Sequence, residues 1–152
     1  MERVRKRRRG TAIVETEKGI LVTAGKSRIF LLPGGGADKG ESRIGAAIRE
    51  LREETGLESY DVKVLFRHKG YPHKSHRHGY FTDYHTVCLI KAHGIAKPHK
   101  EIGYVDYYKP GSNVRISRTT KEIIERYYRF KESSRIKQKH TSLLHRIVDW
   151  LS

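Results

Sequence analysis

Gly35-Gly36-Ala37-Asp38-Lys39-Gly40-Glu41-Ser42-Arg43-Ile44-Gly45-Ala46-Ala47-Ile48-Arg49-Glu50-Leu51-Arg52-Glu53-Glu54-Thr55-Gly56-Leu57 reads as a glycine-led loop running into a helix. Ile44, Ala47, Ile48 and Leu51 recur at i, i+3, i+4 and i+7, which gives one apolar face to a helix over Ser42 to Thr55. Ser42 is placed to cap its N-terminus and Gly56 to stop it. Glu50, Glu53 and Glu54 stand at i, i+3 and i+4; at about 100° per residue they share a second face, roughly 120° from the apolar one.

Three carboxylates on one face work against their own helix. Glu50 and Glu54 form a like-charge i, i+4 pair, costing on the order of 0.2–0.5 kcal/mol. All three lie near the C-terminus, where the helix dipole disfavours negative charge. Arg49 can pair with Glu53 at i+4, but Glu50 has no cation at helical spacing. Such a cluster calls for a positive partner from outside, and an all-oxygen set suits Mg²⁺ or Mn²⁺. Pro33-Gly34-Gly35-Gly36, just ahead, lets backbone amides and carbonyls approach a phosphate or a metal closely. An acidic helix face can simply be solvated and a glycine triplet can simply turn the chain; it is their spacing that carries the reading.

Outward from this segment, Thr11–Val14 and Ile20–Ala24 read as a hairpin about Lys18-Gly19, and Arg28–Leu32 as a third strand stopped by Pro33. Tyr60–Phe66, Tyr80–Ala92 and Ile102–Tyr108 read as further strands. Arg118–Phe130 reads as a helix and Ser133–Ser152 as a final one. The expected class is α/β, a mixed sheet between helices. Residues 1–10 read as a basic arm and 11–152 as a single domain. The arm, with Arg3, Arg5, Lys6, Arg7, Arg8 and Arg9, is open to two readings: a nucleic-acid contact or a solvated terminus.

The net charge of +15 on 152 residues predicts a field that attracts phosphate-bearing molecules, without separating free nucleotides from nucleic acid. No apolar run is long enough to span a membrane and no secretory leader is read, so a cytoplasmic protein is expected. Cys88 is the only cysteine, which leaves no intramolecular disulfide or cysteine cluster and predicts a buried, inert thiol. The apolar C-terminal stretch of Leu143, Leu144, Ile147, Val148, Trp150 and Leu151 suits packing on the chain's own sheet, with a homodimer interface as the other use.

Gly35, then Glu41, then Arg49-Glu50-Leu51-Arg52-Glu53-Glu54-Thr55-Gly56-Leu57 resembles the Nudix box at every position, and the preceding Leu32-Pro33-Gly34-Gly35-Gly36 is also similar to that family. The resemblance implies a Nudix-type α/β/α sandwich with C-terminal helices, and divalent-metal-dependent hydrolysis of a pyrophosphate linkage in a nucleotide or nucleoside diphosphate derivative. It implies Glu50, Glu53 and Glu54 as metal ligands, with the carbonyl of Gly34 or Gly35 completing the shell. Glu50 or Glu53 would activate water, Arg49 would orient a glutamate, and Glu41 would support the loop. A further acid from outside the box would be Glu101 or Asp106, between which the sequence does not choose.

Substrate choice lies outside the box. Gly34 and Gly36 amides are candidates to meet phosphate. In Tyr71-Pro72-His73-Lys74-Ser75-His76-Arg77-His78-Gly79-Tyr80, Arg77 is a candidate for phosphate and Tyr71 for stacking on a base. Pro72 is similar to the pattern of ADP-ribose pyrophosphatases, though a proline there also suits a plain turn. An RNA 5′-end pyrophosphohydrolase is the alternative, resting on charge alone. A non-catalytic nucleotide-binding module of the same fold is less favoured, because every box glutamate is present.

Overall fold

The computed structural model describes residues 3–75 and 79–152. Ten elements follow in the order β1 (Arg5–Ile13), β2 (Glu15–Thr16), β3 (Gly19–Ala24), β4 (Gly34–Gly36), α1 (Arg43–Thr55), β5 (Glu58–Lys69), β6 (His73–Ser75), β7 (Gly79–His93), β8 (Tyr104–Tyr108) and α2 (Arg118–Leu151). One sheet runs β4-β1-β7-β5, with β6 paired to the start of β7. It is mixed, because β1 and β7 are parallel while β4, β5 and β6 pair antiparallel. A smaller antiparallel sheet has the order β2-β3-β8.

The helix over the glutamates forms where the sequence places it. Ser42 is extended and its hydroxyl accepts from the Gly45 N–H at 2.9 Å; Gly56, at φ 77°, ends the helix with its N–H on the Arg52 carbonyl. Its buried stripe is turned from the expected one. Ala46, Ala47 and Leu51 are fully buried, but Ile44 and Ile48 remain 38% and 36% exposed. The cause is the close approach of β1: a Cβ at Gly10 would collide with the Arg43 carbonyl and the Ala47 amide. Ala12, Val14, Leu21, Ala47, Leu51, Leu57, Cys88 and Ile90 pack together as the core beneath it. Cys88 is buried as expected, and burial pushes its thiol up to about 11.

Further expectations need correction. Arg5–Gly10 is no free arm but the first two-thirds of β1, paired throughout with β7 and at Arg9–Gly10 also with β4. The hairpin turns at Glu15–Gly19, and Thr11–Ile13 belongs to the other sheet. Arg28–Leu32 makes only isolated bridges, Thr23 with Leu31 and Phe30 with Ile116; Arg28, at φ 58°, breaks the extended run. The two expected C-terminal helices are one, α2, because Ser133-Ser134 is a poor helix former and not a breaker. In α2, Leu143, Leu144, Ile147, Val148, Trp150 and Leu151 are exposed, where the sequence reading had them covered. No helix among the described residues is long and apolar enough to cross a membrane.

Candidate active site

β4 is the reason for three glycines in a row. Gly35 lies opposite Gly10, and the flanking bonds from Ala12 N–H to Pro33 and from Ala37 N–H to Arg8 make it a hydrogen-bonded pair. A Cβ at Gly35 would run into the Glu50 carboxylate; a Cβ at Gly34, which sits at φ 154°, would strike the Gly10 carbonyl. The register commits the Gly35 carbonyl to the ladder and turns those of Gly34 and Gly36 away from it. Gly34 accepts from Arg9 at 3.2 Å and Gly36 from Arg49 at 3.1 Å. Of the two backbone carbonyls considered as metal donors, the one free of the strand ladder is therefore Gly34, not Gly35.

Arg49 is the hub of the glutamates. Its Nε and Nη2 donate to the two Glu41 oxygens at 2.8 and 2.9 Å, and its Nη1 donates to Glu50 at 2.8 Å and Glu53 at 3.1 Å. Hydrogen bonds from Arg49, and then from the Asp38 amide, hold the Glu41 carboxyl down at about 2. The same bonds, led by those to Glu41, raise Arg49 further above its ordinary value. Glu53 has a second cation, with Lys100 Nζ 3.3 Å from its Oε2; that bond, against partial burial, lowers its pKa.

Glu54 is treated differently. Its side chain is buried, accepts from Thr23 Oγ1 at a long 3.4 Å, and is pushed up to about 8. Burial is the main cause and the Glu50 charge the next; Arg9 and the Gly34 amide pull the other way without prevailing, and Glu101 adds to the rise. Of the two outside acids, Glu101 thus bears on the cluster, whereas Asp106 is exposed on β8 and accepts from the Tyr107 amide at 2.7 Å. Among the described residues no three acidic, histidine or cysteine side chains are drawn together as a ready metal cage. Arg49 itself donates to both Glu50 and Glu53. The donor set nevertheless fits a hard divalent cation: every group is oxygen, and the buried carboxyl beside Glu50 lacks enough positive charge to ionise near neutrality.

Groups from outside the box complete the surroundings, and the sequence did not single them out. Arg9, beside Glu54 and Glu50 in charge terms, has a shielded Nε without a hydrogen-bond partner, and burial lowers its pKa. Burial pushes the Asp83 carboxyl up, but bonds from Arg7 Nε and Nη2, the latter at 2.9 Å, bring it below its ordinary value. His85 shares a 2.8 Å hydrogen bond with Thr11 Oγ1 and is held neutral, at about 4, by burial and then by Arg9. The stretch expected to be a loop is partly strand, His73–Ser75 pairing with Gly79–Phe81. Tyr71 is exposed, and the Arg118 guanidinium sits 4.0 Å from its ring centre. Arg77 lies outside the described residues. Lys100 and Thr23 come from a loop and a strand with no signal of their own; Arg9 was hidden in a run of like charges.

The comparisons with known proteins agree with this architecture. The model of the NUDIX domain matches residues 5–147. A nudix hydrolase family member from Chromobacterium violaceum is 34% identical, with a TM-score of 0.67 over 94% of this chain and 95% of that one. The E. coli ORF135 protein shares the fold at 20% identity, with a TM-score of 0.64 over 86% and 94% of the two chains. An RNA pyrophosphohydrolase of Brucella anthropi is 54% identical over 38 residues, which are 25% of this chain and only 22% of that protein's length. With a mixed sheet, a capped glutamate helix and a family match over almost its whole length, the chain belongs to the NUDIX domain family of hydrolases.

Proposed function

We propose that the protein hydrolyses a pyrophosphate linkage in a nucleotide or nucleoside diphosphate derivative, using Mg²⁺ or Mn²⁺. One observation carries this reading: Arg49 gathers Glu41, Glu50 and Glu53 into one network while Glu54, buried beside Glu50, is short of positive charge. A divalent cation, when bound, screens the charge of a pyrophosphate and lowers the pKa of water. Glu50, Glu53 and Glu54 would hold it, with the Gly34 carbonyl and Glu101 at hand. Glu50 or Glu53 takes the proton of the attacking water. Arg49, bonded to both, fixes their positions, and the nearby charge of Arg9 favours a phosphate at the site. The products are a nucleoside monophosphate and a second phosphorylated fragment.

The test is a panel of ADP-ribose, dinucleoside polyphosphates, normal and oxidised triphosphates and 5′-triphosphorylated RNA, each with and without Mg²⁺. Release of monophosphate or pyrophosphate only with metal is the expected result. Turnover unaffected by chelation would sink the metal reading, and no turnover of any member would sink the substrate class. A second reading, removal of pyrophosphate from an RNA 5′ end, draws on the 54% identity over 38 residues to an RNA pyrophosphohydrolase.

A further inference from the structure

Two helical turns before Glu50, the first turn of α1 faces a cavity of about 300 Å³ lined by Arg43, Arg67, His68, Lys69, Tyr84 and His85. None of these is acidic. Arg43, at the start of α1, has its Nε shielded from solvent and without a hydrogen-bond partner. Lys6 and Lys69 flank the Tyr84 ring, at 5.4 and 5.8 Å from its centre. Arg8 pairs with Tyr84 across the β1–β7 ladder and so shares its face of the sheet, its guanidinium reaching the Glu41 carbonyl at 2.7 Å. Cations from β1, β5 and α1 thus surround one aromatic ring.

We infer that this cavity and its rim hold the phosphodiester backbone of a single-stranded RNA whose 5′ end lies at the glutamates. The inference rests on the RNA reading of the site and adds to it the surface that takes the rest of the strand. Spacing is the reason for a strand over a single phosphate. Arg43 and Glu50 are seven residues apart, hence on the same side of α1 and about 10 Å apart along its axis. At about 3.4 Å per stacked nucleotide that is some three nucleotides, beyond the reach of a mononucleotide. The cations spread from Lys6 to Arg67 match a chain of phosphates, and a tyrosine between lysines offers a face on which any base can stack.

Binding of a short 5′-monophosphorylated oligoribonucleotide, followed by fluorescence anisotropy in EDTA across a salt series, tests this without turnover. Arg67→Gln/Lys69→Gln should weaken binding about tenfold and make the salt slope shallower by about 1.4, at roughly 0.7 per lost contact. Its kcat/KM for ADP-ribose with Mg²⁺ should stay within about twofold of the parent. Lys137→Gln/Lys139→Gln removes the same charge from α2 and should leave the slope unchanged. Parent-like binding by the first variant overturns the inference, as does an equal loss in both, which would mark a diffuse field. Binding to phosphatidylserine vesicles but not to the oligonucleotide overturns it too. Should the first variant lose its circular dichroism, Lys6→Gln/Lys69→Gln, which spares Arg67 and removes the two lysines beside Tyr84, carries the same expectation. If the parent binds the oligonucleotide through these residues yet leaves triphosphorylated RNA uncut, the RNA reading of catalysis fails and the surface stands. If it cuts that RNA with no dependence on Arg67 and Lys69, only the surface fails.

Discussion

Glu41 and Glu54 belong to one short segment, yet the fold bonds one to an arginine and buries the other, with only the charge of Arg9 nearby. At the rim, Glu41 receives two bonds from Arg49 and one from the Asp38 amide, and its carboxyl falls to about 2. On the floor, Glu54 is buried against Glu50 and Thr23 and rises to about 8. The difference is one of local supply: Glu41 is tied into the Arg49 network, whereas the charge of Arg9 near Glu54 does not offset its burial.

The largest expected effect comes from the glutamate between these extremes. Glu53 is ionised and tied to both Arg49 and Lys100, so Glu53→Gln keeps the hydrogen-bonding shape and loses the charge. We expect a fall in kcat of about 10³-fold, within the range for loss of a general base, with the thermal midpoint little changed. Near-parent turnover would remove Glu53 from the chemistry and leave Glu50 as the only candidate base.

The floor itself can be broken with pH. In chelated protein, the folded pKa of Glu54 lies above the ordinary 4.5, so its contribution to stability is full below about 4.5 and is lost as pH rises through about 8. The parent should therefore lose on the order of 4 kcal/mol between pH 5 and pH 9 that Glu54→Gln does not lose. Urea unfolding at both pH values measures it, and parallel losses would show that Glu54 ionises freely. Saturating Mg²⁺ should stabilise the parent at high pH and stabilise the variant less.

Arg49→Lys sharpens the contrast from the rim. A lysine can satisfy one of the three glutamates but not reproduce the forked contacts to Glu41, Glu50 and Glu53. Activity should fall about 10–100-fold, the scale for groups that position ligands, with KM moving less than kcat. An unchanged kcat would mean that the glutamates are held by packing alone.

What the sequence made legible followed the range of the interactions. α1 could be read to its caps because periodicity, Ser42 and Gly56 are local, and the carboxylate face follows from helix geometry. β1 could not, because five consecutive basic residues carry no apolar alternation and their main partner strand lies some 76 residues on. Ile44 and Ile48 were assigned to the core by the same periodicity, but Gly10 draws the helix in at Ala47 and leaves them at the margin. In the site, the box glutamates and Arg49 were visible together. Lys100, Thr23 and Arg9 were not, since only the fold brings β1, β3 and the loop before β8 to α1.

The smallest effect asks whether the start of α1 and its acidic end are one unit. Ser42 caps the helix through the Gly45 amide, and Ser42→Ala should cost about 1 kcal/mol in urea unfolding. Glu41, one residue earlier, is anchored independently by Arg49 from the next turns of the helix, and Gly56 caps the far end. Loss of the Ser42 bond therefore frays a turn whose side chains do not touch the Glu50 and Glu53 network, and kcat with Mg²⁺ should stay within about twofold of the parent. Should kcat fall in step with stability instead, the rim is not a separate scaffold, and the position of Glu50 depends on the first turn as much as on Arg49.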